Sequence, residues 1–143
     1  MNDYTFPAIP IGLRQSFSYG INAEKLRAFR EISGDSNPLH TDVAFAQAHG
    51  FEDIVVYGQL TASALSTLAG MYLPGKYSLI QTVETHYLAP VYLSRCPLEV
   101  SGVVKDKDDR FETITVKFVM RDQSGTKVCR GSMRIGFLQE QRL

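Results

Sequence analysis

The spacing of apolar residues changes part-way along the chain. Before residue 76, apolar side chains recur mainly at helical spacing, which predicts three helices, at 23–33, 43–49 and 58–72. From Lys76 onward they alternate with polar side chains in segments rich in Val, Ile, Thr, Tyr and Phe. This alternation predicts four strands, at 77–89, 97–104, 111–120 and 127–137. A further strand is predicted at 13–20, ahead of the first helix.

Local signals mark the ends of these elements. Asn22 and Asp42 are predicted N-caps, and Gly34 is expected to end the first helix in the left-handed conformation. Turn-forming residues separate the last four strands at 89–90, 106–109 and 123–125. Short turns favour antiparallel neighbours.

The order of the elements predicts the fold class. The segment 58–72 carries Leu60, Leu65, Leu68 and Met71 among Ala, Ser, Thr and Gly, which is typical of a helix enclosed by its neighbours. Helices placed ahead of strands predict an α+β fold, with a curved antiparallel β-sheet packed against this long central helix. We expect a single domain over residues 1–143, with residues 1–12 as an extended N-terminal arm. Because one such layer encloses a deep pocket poorly, a homodimer that completes the site is expected.

Composition narrows the classes of partner. Lys and Arg number 15, as do Asp and Glu, and the net charge is zero, so no nucleic-acid partner is predicted. Asp3 and two early prolines interrupt the N-terminal apolar run, and no segment is long and apolar enough to span a bilayer, so we expect no membrane association and a cytoplasmic protein. Cys96 and Cys129 lack metal-ligand spacing and are expected to be reduced thiols, with no metal site.

The segment SGDSNPLH, residues 33–40, combines turn-forming residues with chemically active ones. As a turn, it would use the side chains of Asp35 and Asn37 to accept local backbone hydrogen bonds. As a site, it would place the carboxylate of Asp35 and the imidazole of His40 around one water, since both groups exchange protons. Spacing alone favours the turn.

Gly58 is a second candidate. The run DIVVYGQLTAS passes through this glycine from β-branched residues into the small-residue helix, where backbone N–H groups lack intrahelical partners. Such a helix start suits an anion or a polarised carbonyl oxygen, although a glycine there also permits tight packing of the helix. Combined with an acid/base pair, it would supply an oxyanion site for an enolate-like intermediate.

The span from Phe29 to His40, followed by Ala46, resembles the signature of the MaoC-like (R)-specific enoyl-CoA hydratases, also called hydratase 2. The likeness continues through residues 51–76 and 86–104 and covers roughly residues 13 to 137. It implies the hotdog fold, in which a curved sheet wraps a long central helix, and a homodimer with pockets at its interface.

The resemblance also assigns roles to residues. It implies that Asp35 and His40 form the acid/base pair and that Asn37 supports this site. It implies further that the backbone amide of Gly58 binds the oxyanion and that Ser66 orients the pair.

The chain departs from the family at the start of the central helix. The family often has His-Gly-Met-Leu where this chain has Tyr57-Gly58-Gln59-Leu60, so Tyr57 and Gln59 are expected to alter the pocket lining and the acyl specificity. The tyrosines at positions 72, 77, 87 and 92 are expected to pack in the sheet instead of lining an acyl pocket.

The implied activity is addition of water to a trans-2-enoyl thioester of CoA or acyl-carrier protein, as in fatty acid metabolism. The product is the (R)-3-hydroxyacyl thioester, and the reverse dehydration is equally implied. No metal or redox cofactor is required. Two alternatives are a hotdog acyl thioesterase, against which His40 argues, and a non-catalytic dimer that binds acyl thioesters.

Overall fold

A computed structural model describes residues 1–139, in which an antiparallel sheet curves around a central helical segment. The five strands are β1 Arg14–Tyr19, β2 Ser78–Tyr87, β3 Leu98–Asp108, β4 Thr113–Arg121 and β5 Lys127–Phe137. Their order in the sheet is β1-β3-β4-β5-β2, so β1 and β2 form its edges. The predicted α+β class is confirmed.

The helices precede the last four strands, as the sequence predicts. They are α1 Ala23–Ser33, α2 Val43–Ala48, α3 Gly58–Ala62 and α4 Ala64–Thr67, with short 3₁₀ turns at Pro38–His40 and Leu93–Arg95. Asn22 caps α1 by accepting a hydrogen bond from the N–H of Lys25 at 2.9 Å, and Gly34 ends it at φ 71°. Both predicted helix ends are therefore confirmed.

The central helical segment is continuous from 58 to 72. Ser63 and Leu68 keep right-handed helical conformations, and a π-helical turn, Leu68–Tyr72, follows α4. The segment approaches β3 at Gly102, where an added Cβ would lie 2.9 Å from the Cδ2 atom of Leu68. Leu68 is fully buried, whereas Met71 is 42% exposed, contrary to the expectation for an enclosed helix.

Strand β3 is longer than predicted. A register shift between Val104 and Asp106 lets residues 106–108 pair with residues 113–115 of β4. The predicted turn at 106–109 therefore lies three residues too early, and the connection to β4 spans 109–112. Cross-strand hydrogen bonding outweighs the local turn preference of the Asp residues.

The N-terminal arm is tied to the end of this long strand. The ammonium group of Lys107 donates to the backbone carbonyls of Phe6 at 2.7 Å and Ile9 at 2.8 Å. Ile9 is completely buried, so the arm closes one end of the core.

Cys96 and Cys129 are free thiols, as predicted. Within residues 1–139, no helix has both the length and the apolar character needed to cross a membrane.

Candidate active site

The turn after α1 organises Asp35 and Asn37. The Oδ1 atom of Asp35 accepts a hydrogen bond from the N–H of Asn37 at 2.9 Å, and the Oδ1 atom of Asn37 accepts one from the N–H of Leu39 at 3.0 Å. Both side chains thus shape the turn. The Oδ2 atom of Asp35 makes no hydrogen bond to any residue in 1–139, which leaves it free for proton exchange.

The imidazole of His40 is oriented by a backbone group. Its Nδ1 atom lies 2.6 Å from the carbonyl oxygen of Val55. Because a carbonyl only accepts hydrogen bonds, Nδ1 carries the proton, and Nε2 is the atom that exchanges a proton with a ligand. The N–H of Val55 in turn donates to the carbonyl of Leu39 at 3.0 Å, which ties this segment to the turn.

Tyr57 contacts both members of the predicted acid/base pair. Its hydroxyl donates to the backbone carbonyl of Asp35 at 2.7 Å, and its ring stacks on the imidazole of His40 with 4.2 Å between centroids. The side chain is 2% exposed. Burial raises the pKa of the Tyr57 phenol, and the charge of Asp35 raises it further, against an opposing effect of Arg30. Tyr57 is therefore a protonated donor at neutral pH.

Gly58 begins α3, directly after Tyr57. Tyr57 provides no side-chain cap, so the first N–H groups of the helix retain their donor capacity. Gly58, His40 and Thr61 line one cavity of about 330 Å³, which we call the Gly58 cavity. The fold thus places the imidazole of His40 and the start of α3 in the lining of one cavity.

Thr61 adds an unusual feature to the Gly58 cavity. It is 1% exposed, and its Oγ1 atom is buried without a hydrogen-bond partner among residues 1–139. A buried unpaired hydroxyl is destabilising relative to an apolar group of the same shape.

Ser66 and Gln59 lie in a neighbouring groove. This groove, of about 480 Å³, runs between the central helical segment and β2, and we call it the helix groove. Ser66 is exposed and is eight residues beyond Gly58, about 12 Å along the helix axis. Its hydroxyl makes no hydrogen bond to Asp35 or His40 within residues 1–139, so its orienting role stays a prediction.

Tyr57 and Gln59 line different spaces. Gln59 contributes to the helix groove, together with Ser66. Tyr57 instead lines a separate cavity of about 220 Å³, which also contains Arg30 and Leu93. His40, on which the ring of Tyr57 stacks, lines both that cavity and the Gly58 cavity.

Tyr87 is a residue of the site that sequence reasoning missed. It was expected to pack in the sheet, but it is 49% exposed and lines both the Gly58 cavity and the helix groove. Alternation along β2 places it on the same face as Val83 and Thr85, which is a signal in the sequence. Its position beside Gly58 depends on tertiary packing and cannot be read from the alternation of residues in the sequence.

The remaining chemistry of the described residues is simple. Within 1–139, no group of three or more His, Cys, Asp or Glu side chains is arranged to hold a metal ion. The Gly58 cavity brings together the imidazole of His40, the start of α3 and the hydroxyls of Thr61 and Tyr87. The carboxylate of Asp35 is exposed beside this cavity's lining, and its role in the pair stays a prediction.

Known proteins share this sequence and fold. Residues 8–124 match the family described as the MaoC like domain. The (R)-specific enoyl-CoA hydratase of Aeromonas caviae is 35% identical over 103 residues, which are 70% of this chain and 77% of that protein. A mitochondrial 3-hydroxyacyl-[acyl-carrier-protein] dehydratase of Arabidopsis thaliana is 33% identical over 84 residues, which are 59% of this chain and 48% of that protein.

A solved structure shares the fold of this chain. The (R)-hydratase from A. caviae involved in PHA biosynthesis superimposes with a TM-score of 0.81 at 30% identity, over 91% of this chain and 98% of that one. The sheet wrapped around a central helix is the hotdog fold, as the resemblance implied. The match over residues 8–124, the relative at 35% identity and the shared fold show that this chain belongs to the MaoC-like domain family.

Proposed function

We propose that the protein is a hydro-lyase that adds water to trans-2-enoyl thioesters to give (R)-3-hydroxyacyl thioesters, or catalyses the reverse dehydration. The observation that carries the proposal is the contact of Tyr57 with both Asp35 and His40, directly before Gly58. Relatives named for hydration of enoyl-CoA and for dehydration of 3-hydroxyacyl-[acyl-carrier-protein] support this reaction class.

The proposed mechanism uses Asp35 and His40 on one water. The oxygen of the water bonds to C3 of the enoyl group as one of its protons passes to the carboxylate of Asp35. His40 enters this step as an imidazolium, with protons on both Nδ1 and Nε2. The Nε2 proton adds to C2, and the other water proton stays on the new hydroxyl. A proton then moves from Asp35 to His40, which restores both groups for the next turnover.

In this mechanism Gly58 stabilises the charge that develops on the thioester oxygen. A hydrogen bond from its N–H strengthens as the enolate forms, since an oxyanion accepts more strongly than a carbonyl. Each proton transfer contributes on the order of 10² to 10⁴ in rate, and an oxyanion donor about 10² to 10³. Asn37 contributes indirectly, by holding the turn that carries both reacting side chains.

We propose that the working form is a homodimer of single-domain chains joined through β2. This edge strand has no buried residue among its ten, and its apolar side chains include Leu79 at 53%, Ile80 at 38% and Val83 at 48% exposure. A long apolar edge with unpaired backbone groups is favourable for pairing with a second strand. A partner seated there would cover the helix groove, where Ser66 and Gln59 would line an enclosed acyl pocket.

The substrate we propose is an acyl-CoA or acyl-carrier-protein thioester, used in fatty acid metabolism. The two free thiols, Cys96 and Cys129, support a reducing and hence cytoplasmic setting.

The test follows the loss of enoyl absorbance with crotonyl-CoA and a crotonyl-carrier-protein substrate, with product stereochemistry recorded. We expect Asp35→Asn and His40→Gln each to lower kcat by about 10² to 10⁴. Asp109→Asn and His49→Gln are matched controls outside the cluster and should retain full activity. Unchanged turnover in both site variants would overturn the residue assignment.

The same assay separates the alternative functions. Release of free thiol without hydration would identify a thioesterase. Binding of both substrates with no product would identify a non-catalytic module.

A further inference from the structure

Tyr87 lies between the Gly58 cavity and the helix groove and is part of the lining of both. It is the last residue of β2. Its hydroxyl makes no hydrogen bond to another residue within 1–139. This phenol oxygen therefore has its full donor capacity available to a ligand in either space.

The ring of Tyr87 occupies the position next to Gly58 that a side chain would otherwise take. A Cβ added at Gly58 would lie 3.1 Å from the Cε1 and Cζ atoms of Tyr87 and 3.5 Å from its hydroxyl oxygen. The absence of a side chain at Gly58 thus brings the phenol close to the start of α3. Gly58 and Tyr87 also line the same cavity, so a ligand in it meets both the helix start and the phenol.

The state of the phenol suits a donor. Partial burial raises the pKa of Tyr87, so the hydroxyl keeps its proton through the neutral and mildly alkaline range. A neutral phenol stabilises a negative oxygen by donating a hydrogen bond.

We propose that the hydroxyl of Tyr87 is a second oxyanion donor, which binds the thioester oxygen together with the N–H of Gly58. This assignment rests on the proposed hydratase function and makes Tyr87 a catalytic residue of that reaction. Because the bond strengthens as the enolate forms, its loss affects the transition state more than the bound substrate.

The first test is Tyr87→Phe, which retains the ring beside Gly58 and removes only the hydroxyl. We expect kcat for crotonyl-CoA hydration to fall about 10²-fold, with KM changed less than threefold. Tyr77→Phe, at the residue just before β2, is the matched control and should behave as wild type. A Tyr87→Phe enzyme with wild-type kcat would refute the proposal.

The second test does not depend on turnover. Acetoacetyl-CoA forms an enolate whose ultraviolet absorbance reports stabilisation of the negative thioester oxygen. Wild-type protein should increase the enolate fraction on binding, and Tyr87→Phe should bind with a fraction at least fivefold smaller.

The two tests distinguish the two proposals. An enolate signal that depends on Tyr87, in a protein without hydratase turnover, would support the donor role and reject the proposed reaction. Equal enolate signals in wild type and Tyr87→Phe, or none in either, would reject the donor role whatever the turnover.

Discussion

The hydroxyl of Tyr57 donates a 2.7 Å hydrogen bond to the backbone carbonyl of Asp35, and the ring that carries it stacks on His40. One side chain thus fixes the backbone at the carboxylate and the plane of the imidazole. Both groups must be aligned to act on a single water, because misplacement of a reacting group lowers the rate steeply.

Replacement of Tyr57 by Phe is expected to lower kcat about five- to tenfold. The change removes a hydrogen bond worth about 1 kcal/mol and retains the stacked ring. Tyr57→Leu removes both contacts and should lower kcat further, while KM changes little in either variant. Steady-state kinetics with crotonyl-CoA measures this difference.

The control for that prediction is Tyr92→Phe. Tyr92 is also buried, and its hydroxyl accepts a hydrogen bond from the N–H of Glu52, outside the acid/base pair. Equal kcat values for Tyr57→Phe and Tyr92→Phe would show that the Tyr57 hydroxyl has no positioning role.

Introduction of a charge on β2 is expected to dissociate the proposed homodimer. Val83 lies mid-strand and is 48% exposed, so Val83→Lys would bury an ammonium group in the interface, where it is strongly unfavourable. We expect a monomer by light scattering, with loss of hydratase activity. Phe111→Lys, at a residue 62% exposed between β3 and β4, should leave the mass unchanged. A dimeric Val83→Lys variant would place the interface elsewhere.

Thr61→Val is expected to stabilise the protein. The hydroxyl of Thr61 is buried without a partner among the described residues, and Val fills the same volume without a polar atom. The free energy of unfolding should rise by about 1 kcal/mol, and Tm by about 3 °C at fixed protein concentration. Thr5→Val, at an exposed residue of the N-terminal arm, is the control and should change neither. A lower Tm for Thr61→Val would indicate that the hydroxyl has a partner that stabilises the folded state.

Asp122 is expected to stabilise the fold in a pH-dependent manner. Burial alone would raise the pKa of its carboxyl, but hydrogen bonds from the Ser124 hydroxyl and from the N–H groups of Ser124 and Thr126, together with the charge of Arg95, lower it overall. Because the pKa of Asp122 is lower in the folded than in the unfolded state, its stabilising effect is complete at pH values above the pKa of the unfolded chain, about 3.9. The effect is lost as the pH falls through the lower pKa of the folded state.

Urea unfolding of Asp122→Ala measures this contribution. At pH 7 we expect a loss of about 3 kcal/mol, because three hydrogen bonds to a charged acceptor disappear. Below about pH 4 the difference from wild type should shrink. A difference that stays constant from pH 7 to pH 3 would show that the carboxylate charge is not involved. Asp109→Ala, in the turn after β3, is the control.

Much of the fold was predictable because its signals are local. Asn22 and Gly34 define the ends of α1 through their own side-chain and backbone preferences, and the change from helical to alternating spacing separates the helices from the last four strands. Strand β3 was predicted too short, because the pairing of Asp106 with Thr115 depends on a partner strand that local turn preference cannot represent.

The sequence by itself determined the turn that carries Asp35 and His40 and the glycine that begins the central helix, because their conformations follow from residues within a few positions of each. Only the tertiary structure decided which side chains meet there. Tyr57 reaches Asp35 across 22 positions, and Tyr87 reaches Gly58 across 29, and such contacts follow from the packing of β2 and α3.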